Sequence, residues 1–243
     1  MTLSISHDIQ AKLKSKGADF VKFVDISGLS KKQNKGYCNA VLIGILLSPA
    51  YLLKVTNTPD FIEEMKRKNR MKEDEFNNIE IKTDGLADDL EDYLVSKGYS
   101  AYSQSEKNVA SSGFYDETNK STPLPHKTIA GLAGMGWIGR HNLLVTPEYG
   151  SAISMCSVLT NAPLEAVLRP VSSSRCGDCR ICTDICKAKA IKGKAWELGM
   201  TRNEIVDVNL CTTCLKCLVL CPWTQRYMEK GINGNTKIHN QQS

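Results

Sequence analysis

The sequence predicts an α+β protein in two parts, with strands and helices mixed over residues 1–170 and a small metal-bound module over 171–230, followed by a polar tail, 231–243. Three observations carry this. Strand-like apolar runs alternate with helix-period stripes before residue 170. Eight of the ten cysteines fall within 176–221. The charge divides at the same place: residues 1–170 hold 20 Lys+Arg against 20 Asp+Glu, and 171–243 hold 11 against 6, so the net +5 lies wholly in the cysteine-rich part.

In chain order, Ile5, Ile9 and Leu13 form one helical stripe over Ser4–Lys16, with Gly17 as its C-terminal cap. Asp19–Ser27, rich in β-branched and aromatic residues, reads as a strand. Tyr37–Pro49 reads as a second strand, apolar enough to be covered on both faces. Thr58-Pro59 opens a helix in N-cap and first-turn order, and 61–97 reads as mainly helical with a solvated charged face. Residues 99–105 suggest a short strand. Residues 104–125, polar and broken by Gly113, Pro123 and Pro125, read as a long binding-type loop. His126–Gly136 suits a short helix running into a glycine-rich turn, and Asn142–Thr160 a hairpin around Pro147–Gly150. Residues 161–174 connect to the cysteines.

No apolar run reaches the length of a membrane span, and the longest, Ala40–Leu47, is strand-sized. The N-terminal residues show neither an apolar signal core nor a twin arginine, so the expectation is a cytoplasmic protein with no membrane partner. Cysteines kept in a cytosolic chain point to metal or redox chemistry over disulfides. Cys38 and Cys156, standing apart, are expected as buried small apolar residues. The basic excess, with Lys187, Lys189, Lys192 and Lys194, admits nucleic-acid binding. Local counter-charge is the preferred reading, because two [4Fe-4S]²⁺ cores with four thiolates each carry about −4 together.

Cys176, Cys179, Cys182 and Cys186 are spaced C-x2-C-x2-C-x3-C, and so are Cys211, Cys214, Cys217 and Cys221. Two-residue gaps let three thiolates from one tight loop converge on a cubane. The fourth cysteine of each row starts the next helix and reaches the other cluster. One [4Fe-4S] is therefore assigned to Cys176, Cys179, Cys182 and Cys221, the second to Cys211, Cys214, Cys217 and Cys186. Pro222 follows Cys221 as the bacterial ferredoxin pattern expects, and Lys187 replaces the proline after Cys186. Structural zinc is the main rival, but it commonly mixes in histidine, and none lies between Gly177 and Pro222. Such a pair of clusters is an electron relay.

The residues before the rows suggest an acceptor site. Gly134, Gly136 and Gly139 strip side chains where backbone would lie flat against something large, and Trp137 offers an apolar plane. The stretch "AGMGWIGRHNLLVTPEYGS", followed by a two-cluster module ending "CPWTQRY", resembles the epoxyqueuosine reductase family, itself related to the reductive dehalogenases. The resemblance runs from about Pro125 to Tyr227. It implies a nitroreductase-like domain that seats base-off cobalamin beside one cluster of a ferredoxin-like module, for two-electron reductive elimination. Carried over by position, Gly134, Met135, Gly136, Trp137, Ile138, Gly139, Arg140, His141 and the hairpin to Ser151 line the cofactor. His141 itself reads as a structural histidine more than a ligand. The second row's cysteines stand closer together than is usual in the family.

Two further departures bear on chemistry. The family's general-acid aspartate falls on Lys120, a poor proton donor at neutral pH, with Asp116 nearby and Tyr115 or Tyr149 as other substitutes. The chain also ends soon after the clusters, without the helical-repeat region that helps the family hold transfer RNA, so transfer RNA is expected to be an unlikely partner. The leading reading is an iron–sulfur oxidoreductase, handled anaerobically, that takes electrons from a donor such as ferredoxin or flavodoxin. Its substrate would be a small molecule or a partner protein's cofactor. The same fold holding FMN, and an electron-transfer protein without a catalytic site of its own, are the alternatives.

Overall fold

A computed structural model describes residues 4–197 and 199–239. Its elements in order are α1 (Ile5–Ser15), β1 (Phe20–Asp25), α2 (Lys31–Asn34), β2 (Asn39–Leu46), α3 (Pro49–Asn57), α4 (Phe61–Arg67), a 3₁₀ turn (Met71–Glu73), α5 (Glu75–Ser96), β3 (Ala101–Ser103), α6 (Glu106–Ser111), α7 (His126–Leu132), β4 (Trp137–Ile138), β5 (Leu144–Val145), β6 (Ile153–Thr160), α8 (Ile181–Asp184), α9 (Arg202–Ile205), α10 (Lys216–Val219) and α11 (Pro222–His239). Helix and sheet are mixed, as expected. No described helix is long and apolar enough to cross a membrane.

The chain forms two compact units that interleave in sequence. The first takes the chain up to Ile45, Asn78–Met135 and Ser154–Val171. The second takes Leu46–Asn77, Gly136–Ile153 and the chain from Ser172. The last of these boundaries lies one residue from the expected cut at 170/171. The linear reading had no means of assigning 46–77 and 136–153 to the cysteine-rich unit, because the side chains that hold them there are single lysines and arginines without a pattern.

The first unit is built on a four-stranded sheet of order β1-β2-β6-β3, antiparallel at β1/β2 and at β3/β6. Alternate strand residues Val21, Val41, Ile43, Cys156 and Val158 join Ile9 and Leu13 of α1 and Leu86, Leu90 and Leu94 of α5 in one core. Strand period two and helix period 3.6 therefore meet on one face of the sheet. α7 packs on β1, which covers β1 from a helix placed later in the chain. Gly44 faces Phe20 across the β1/β2 ladder, and a Cβ there would lie 1.9 Å from the Phe20 ring. Cys156 is fully buried in this core as expected, whereas Cys38 is exposed.

Several expectations are corrected. The second strand stops at Leu46, because Ser48 caps α3 and Pro49 opens it, the signal also read at Thr58-Pro59. The hairpin over 142–160 does not form. β5 pairs back with β4, so the hairpin is one element earlier, over 137–145, and β6 instead enters the four-stranded sheet. Asn142 explains the shift: at φ 64° it takes the left-handed conformation that asparagine tolerates, and its N–H donates to Gly139 O at 2.8 Å. The loop over 104–125 contains α6 and a turn closed by an Asp116/Ser121 bridge. The expected tail is helical as far as His239, within α11, and its last four positions, 240–243, lie outside the described residues.

His126 is half-buried at the start of α7, with Nδ1 2.8 Å from Ser157 Oγ, which in turn donates to Gln104 Oε1. Burial pushes its pKa down to about 4, against a smaller upward pull from Asp84. Between pH 6.5 and 4 the unfolded chain therefore binds the extra proton. Stability from this residue is complete above about pH 6.5 and falls as the pH drops toward 4, by up to about 3 kcal/mol. Denaturant melts of wild type and H126Q across this range are expected to show a steeper pH slope in wild type. Gly44→Ala is expected to cost about 1–3 kcal/mol, measured by the same melts, since the Phe20 ring must move.

Candidate functional site

The two cysteine rows belong to the second unit and have matching local structure. Each row is a tight loop followed by a four-residue helix, α8 after Cys179 and α10 after Cys214, with the third cysteine inside it. The loops need unusual backbone: Gly177, Thr213 and Leu215 all have positive φ, of 49°, 53° and 62°. For β-branched Thr213 this conformation costs about 1–3 kcal/mol and must be imposed from outside. Between the rows, Ile191 and Val206 form an antiparallel bridge, flanked by Lys192 N–H to Ile205 O and Asp207 N–H to Ala190 O.

Three cationic side chains do the imposing. Lys66 donates to Thr212 O at 2.8 Å and to Thr213 Oγ1 at 2.6 Å, fixing the second loop. Lys216 donates to Val55 O at 2.6 Å, Thr56 O at 3.4 Å and Thr58 O at 3.0 Å, so α10 is held by the carbonyls ending α3. Arg140 donates to Gly177 O at 2.5 Å and to Gly193 O, fixing the first loop. These contacts place 46–77 and 136–153 with the cysteines. The sequence carried no sign of Lys66 and Lys216, because a single cation in a charged helix looks solvated.

Burial pushes Cys182 up to about 11, and the charges of Cys176, Cys221 and Cys179 add to the rise. Cys217 is pushed up to about 12, first by burial and then by Cys214, Cys211, Cys182 and Cys186. Cys221 is raised by burial and by Cys176 and Cys179, while the backbone N–H groups of Trp223 and Thr224, at the start of α11, pull it down. Cys221 thus lies near Cys176 and Cys179, and Cys217 near Cys182 and Cys186 as well as Cys211 and Cys214. Thiols raised in this way, as in Cys182, Cys217 and Cys221, stay protonated at neutral pH unless a cationic core replaces the protons. Among the described residues, no three His, Cys, Asp or Glu converge closely enough to grip a single ion.

The glycine-rich turn is filled by the chain itself. A Cβ on Gly136 would meet Val145 O at 2.0 Å, and one on Gly139 would meet His141 Cε1 at 2.8 Å. A Cβ on Gly150 would meet Thr224 N at 2.3 Å. The large neighbour inferred for Gly136 and Gly139 is therefore their own hairpin, a correction to the open plane expected there. Gly134 is exposed, and Met135 is half-buried. Trp137 is 1% exposed and packs with Val145, its register partner on β5, and with Cys176, Cys221 and Trp223, while the buried Ile138 pairs with Leu144. The Trp137 ring meets Trp223 edge-on at 5.0 Å, and the Arg175 guanidinium lies 5.5 Å from its centroid.

His141 is buried, and its Nδ1 accepts the Leu143 N–H at 3.2 Å, the structural role anticipated for it. Ser151 Oγ donates to Leu144 O at 2.7 Å, and its N–H donates to Thr224 Oγ1 at 3.0 Å. Three buried donors in or near the first row, Trp137 Nε1, Arg140 Nε and Thr183 Oγ1, have no acceptor among the described residues. An unpaired buried donor costs about 1–3 kcal/mol, which a sulfur-rich group beside Cys176 and Cys221 would relieve.

Of the candidate proton donors, Tyr115, Asp116 and Lys120 share one stretch of the first unit, and Tyr149 belongs to the second. Asp116 and Lys120 sit together on an exposed turn of the first unit. Asp116 accepts from Asn119 Nδ2 at 2.7 Å and from the N–H groups of Thr118 and Asn119, which hold its carboxyl below the usual range and keep it ionised. Lys120 has φ 49° and lies 3.3 Å from Glu117. Tyr115 is half-buried on the same stretch. Tyr149 belongs to the second unit, edge-on to Tyr227 at 5.7 Å. K216M and R140L are each expected to lose about 1.5–3 kcal/mol in denaturant melts, the worth of charged hydrogen bonds to loop carbonyls.

No protein-family model matches the chain. The curated epoxyqueuosine reductase of Synechococcus sp. (strain CC9605) is 34% identical over 122 residues, 44% of this chain and 37% of that protein. The epoxyqueuosine reductase of Listeria monocytogenes serovar 1/2a is 38% identical over 116 residues, 42% of this chain and 30% of that protein. The matched stretch thus spans well under half the length of these relatives. A crystal structure of epoxyqueuosine reductase with an epoxyqueuosine-modified tRNA-Tyr stem loop covers 90% of this chain and 65% of its own, at 16% identity and TM-score 0.53. A variant of a catabolic reductive dehalogenase covers 92% of this chain and 33% of its own, at 18% identity and TM-score 0.63.

One expectation is overturned here. Transfer RNA was set aside because of where the chain ends, yet a fold neighbour is seen with a tRNA stem loop, and the relatives extend beyond the matched stretch. The end of this chain therefore says nothing against transfer RNA. The family resemblance read from the motifs is matched twice, by epoxyqueuosine reductases in sequence and by epoxyqueuosine reductases and reductive dehalogenases in fold.

Proposed function

We propose that the chain is an iron–sulfur oxidoreductase of the epoxyqueuosine reductase kind, with a nitroreductase-like part and a ferredoxin-like two-cluster part. The observation that carries this is the repeated C-x2-C-x2-C-x3-C spacing together with packing between the rows, Cys221 beside Cys176 and Cys186 in one cluster with Cys182 and Cys217. Bound there, two [4Fe-4S] clusters supply one-electron transfer. The chain's residues do the rest: Lys66, Lys216 and Arg140 hold the loops, Trp137 and Val145 keep water from the first row, and the α11 N–H groups face Cys221.

Cobalamin is supported by the motif resemblance and by a neighbour whose structure concerns B12-dependent dehalogenation. The glycines do not add to that support, since Gly136, Gly139 and Gly150 close on the protein's own atoms. FMN is the alternative occupant of a nitroreductase-like part. A modified transfer-RNA stem loop is the substrate class to assay first, given the neighbour that holds one and the basic excess of 171–243. The exposed placing of Asp116 and Lys120 favours a second reading, an electron carrier without its own proton donor.

Anaerobically isolated protein is expected to hold about eight iron and eight acid-labile sulfide per chain, with about half of each lost in C221S and in C186S. The spectra then decide the ligand sets: C221S should spare the cluster of Cys211, Cys214 and Cys217, and C186S that of Cys176, Cys179 and Cys182. Zinc without sulfide would sink the proposal. Corrin absorption on adding cobalamin, and reduction of an epoxyqueuosine-bearing stem loop, separate the enzyme from the electron carrier.

A further inference from the structure

We propose that the indole N–H of Trp137 donates to a sulfur of the cluster held by Cys176, Cys179, Cys182 and Cys221, and so sets that cluster's reduction potential above the value its thiolates alone would give. The inference rests on the iron–sulfur reading above. Trp137 is 1% exposed, it packs against Cys176 and Cys221, and its Nε1 finds no acceptor among the described residues. A buried indole N–H nearly always has a partner. Val145 and Trp223 pack around the ring and keep water from this edge of the row, so the group that answers the N–H must belong to the site itself.

The chemistry of a cubane fits the role. Its sulfurs carry the negative charge, and reduction adds one electron more, so a donor aimed at them favours the reduced state. In a dry pocket the effect is stronger than in water. Trp137, placed on its β4 register opposite Val145 and packed beside Cys176 and Cys221, is thus a positioning and tuning residue for that cluster of the relay.

W137F keeps the ring and removes the N–H. In anaerobic redox titrations followed by electron paramagnetic resonance, this variant is expected to show a lower midpoint potential for one cluster and an unchanged one for the other, at unchanged iron and sulfide content. The unaltered chain gives a second measurement that is independent of how the variant folds. With all three tryptophans labelled with ¹⁵N in the indole, the reduced protein is expected to show one nitrogen coupled to a cluster spin. W223F should keep that coupling and W137F should lose it. Clusters present, with unmoved potentials and no indole coupling, would overturn this inference alone. Wild-type protein without iron and sulfide would overturn the reading beneath it.

Discussion

A pair of cysteine loops that cannot fold by themselves governs the second unit. The first row needs a left-handed Gly177 and the second left-handed Thr213 and Leu215, and each row adds a helix of only four residues, too short to be stable alone. The missing order comes from cations on carbonyls: Lys66 on the Thr212–Thr213 turn, Arg140 on Gly177 and Gly193, Lys216 on the last carbonyls of α3. Each is a long stem with a fixed charge, able to reach across a loop and satisfy peptide oxygens that no sheet or helix satisfies. Segments far apart in the chain are drawn in by these contacts, and the unit's composition follows from them.

The same logic explains the glycines. Gly136 lies so close to Val145 O, and Gly150 to Thr224 N, that any side chain would force two backbones apart. Their role is to let the β4/β5 hairpin and the start of α11 touch. That contact brings Trp137 and Trp223 together beside Cys221. A motif that reads as a cofactor cradle is thus also a packing device, and its conformational demands are met before any ligand is considered.

Much of this was legible in the sequence, and the failures have particular causes. The stripe Ile5–Ile9–Leu13 and the buried strand over 39–46 were readable because hydrophobic periodicity is a local signal. The α3 start at Ser48-Pro49 was missed, and Thr58-Pro59, which carries the same cap signal, does not open a helix: Thr58 ends α3, and Asp60 precedes α4. The hairpin was set one element late because a Pro-Glu-Tyr-Gly turn outshone Asn142, whose left-handed backbone decides the pairing. Lys120 and Asp116 were given chemistry by position, yet a turn needed them. Lys66 and Lys216 were invisible, since nothing local marks a lysine whose partners lie about 150 residues away.

The interleaving of the second unit has a consequence for biogenesis. Leu46–Asn77 emerges from the ribosome long before the cysteine rows that give it its neighbours, and Gly136–Ile153 also waits for Thr224. Neither segment can be packed before those later partners have been made. Closure of this unit must therefore wait for the second cysteine row, and a nascent chain stalled before residue 211 would expose both segments to aggregation or proteolysis.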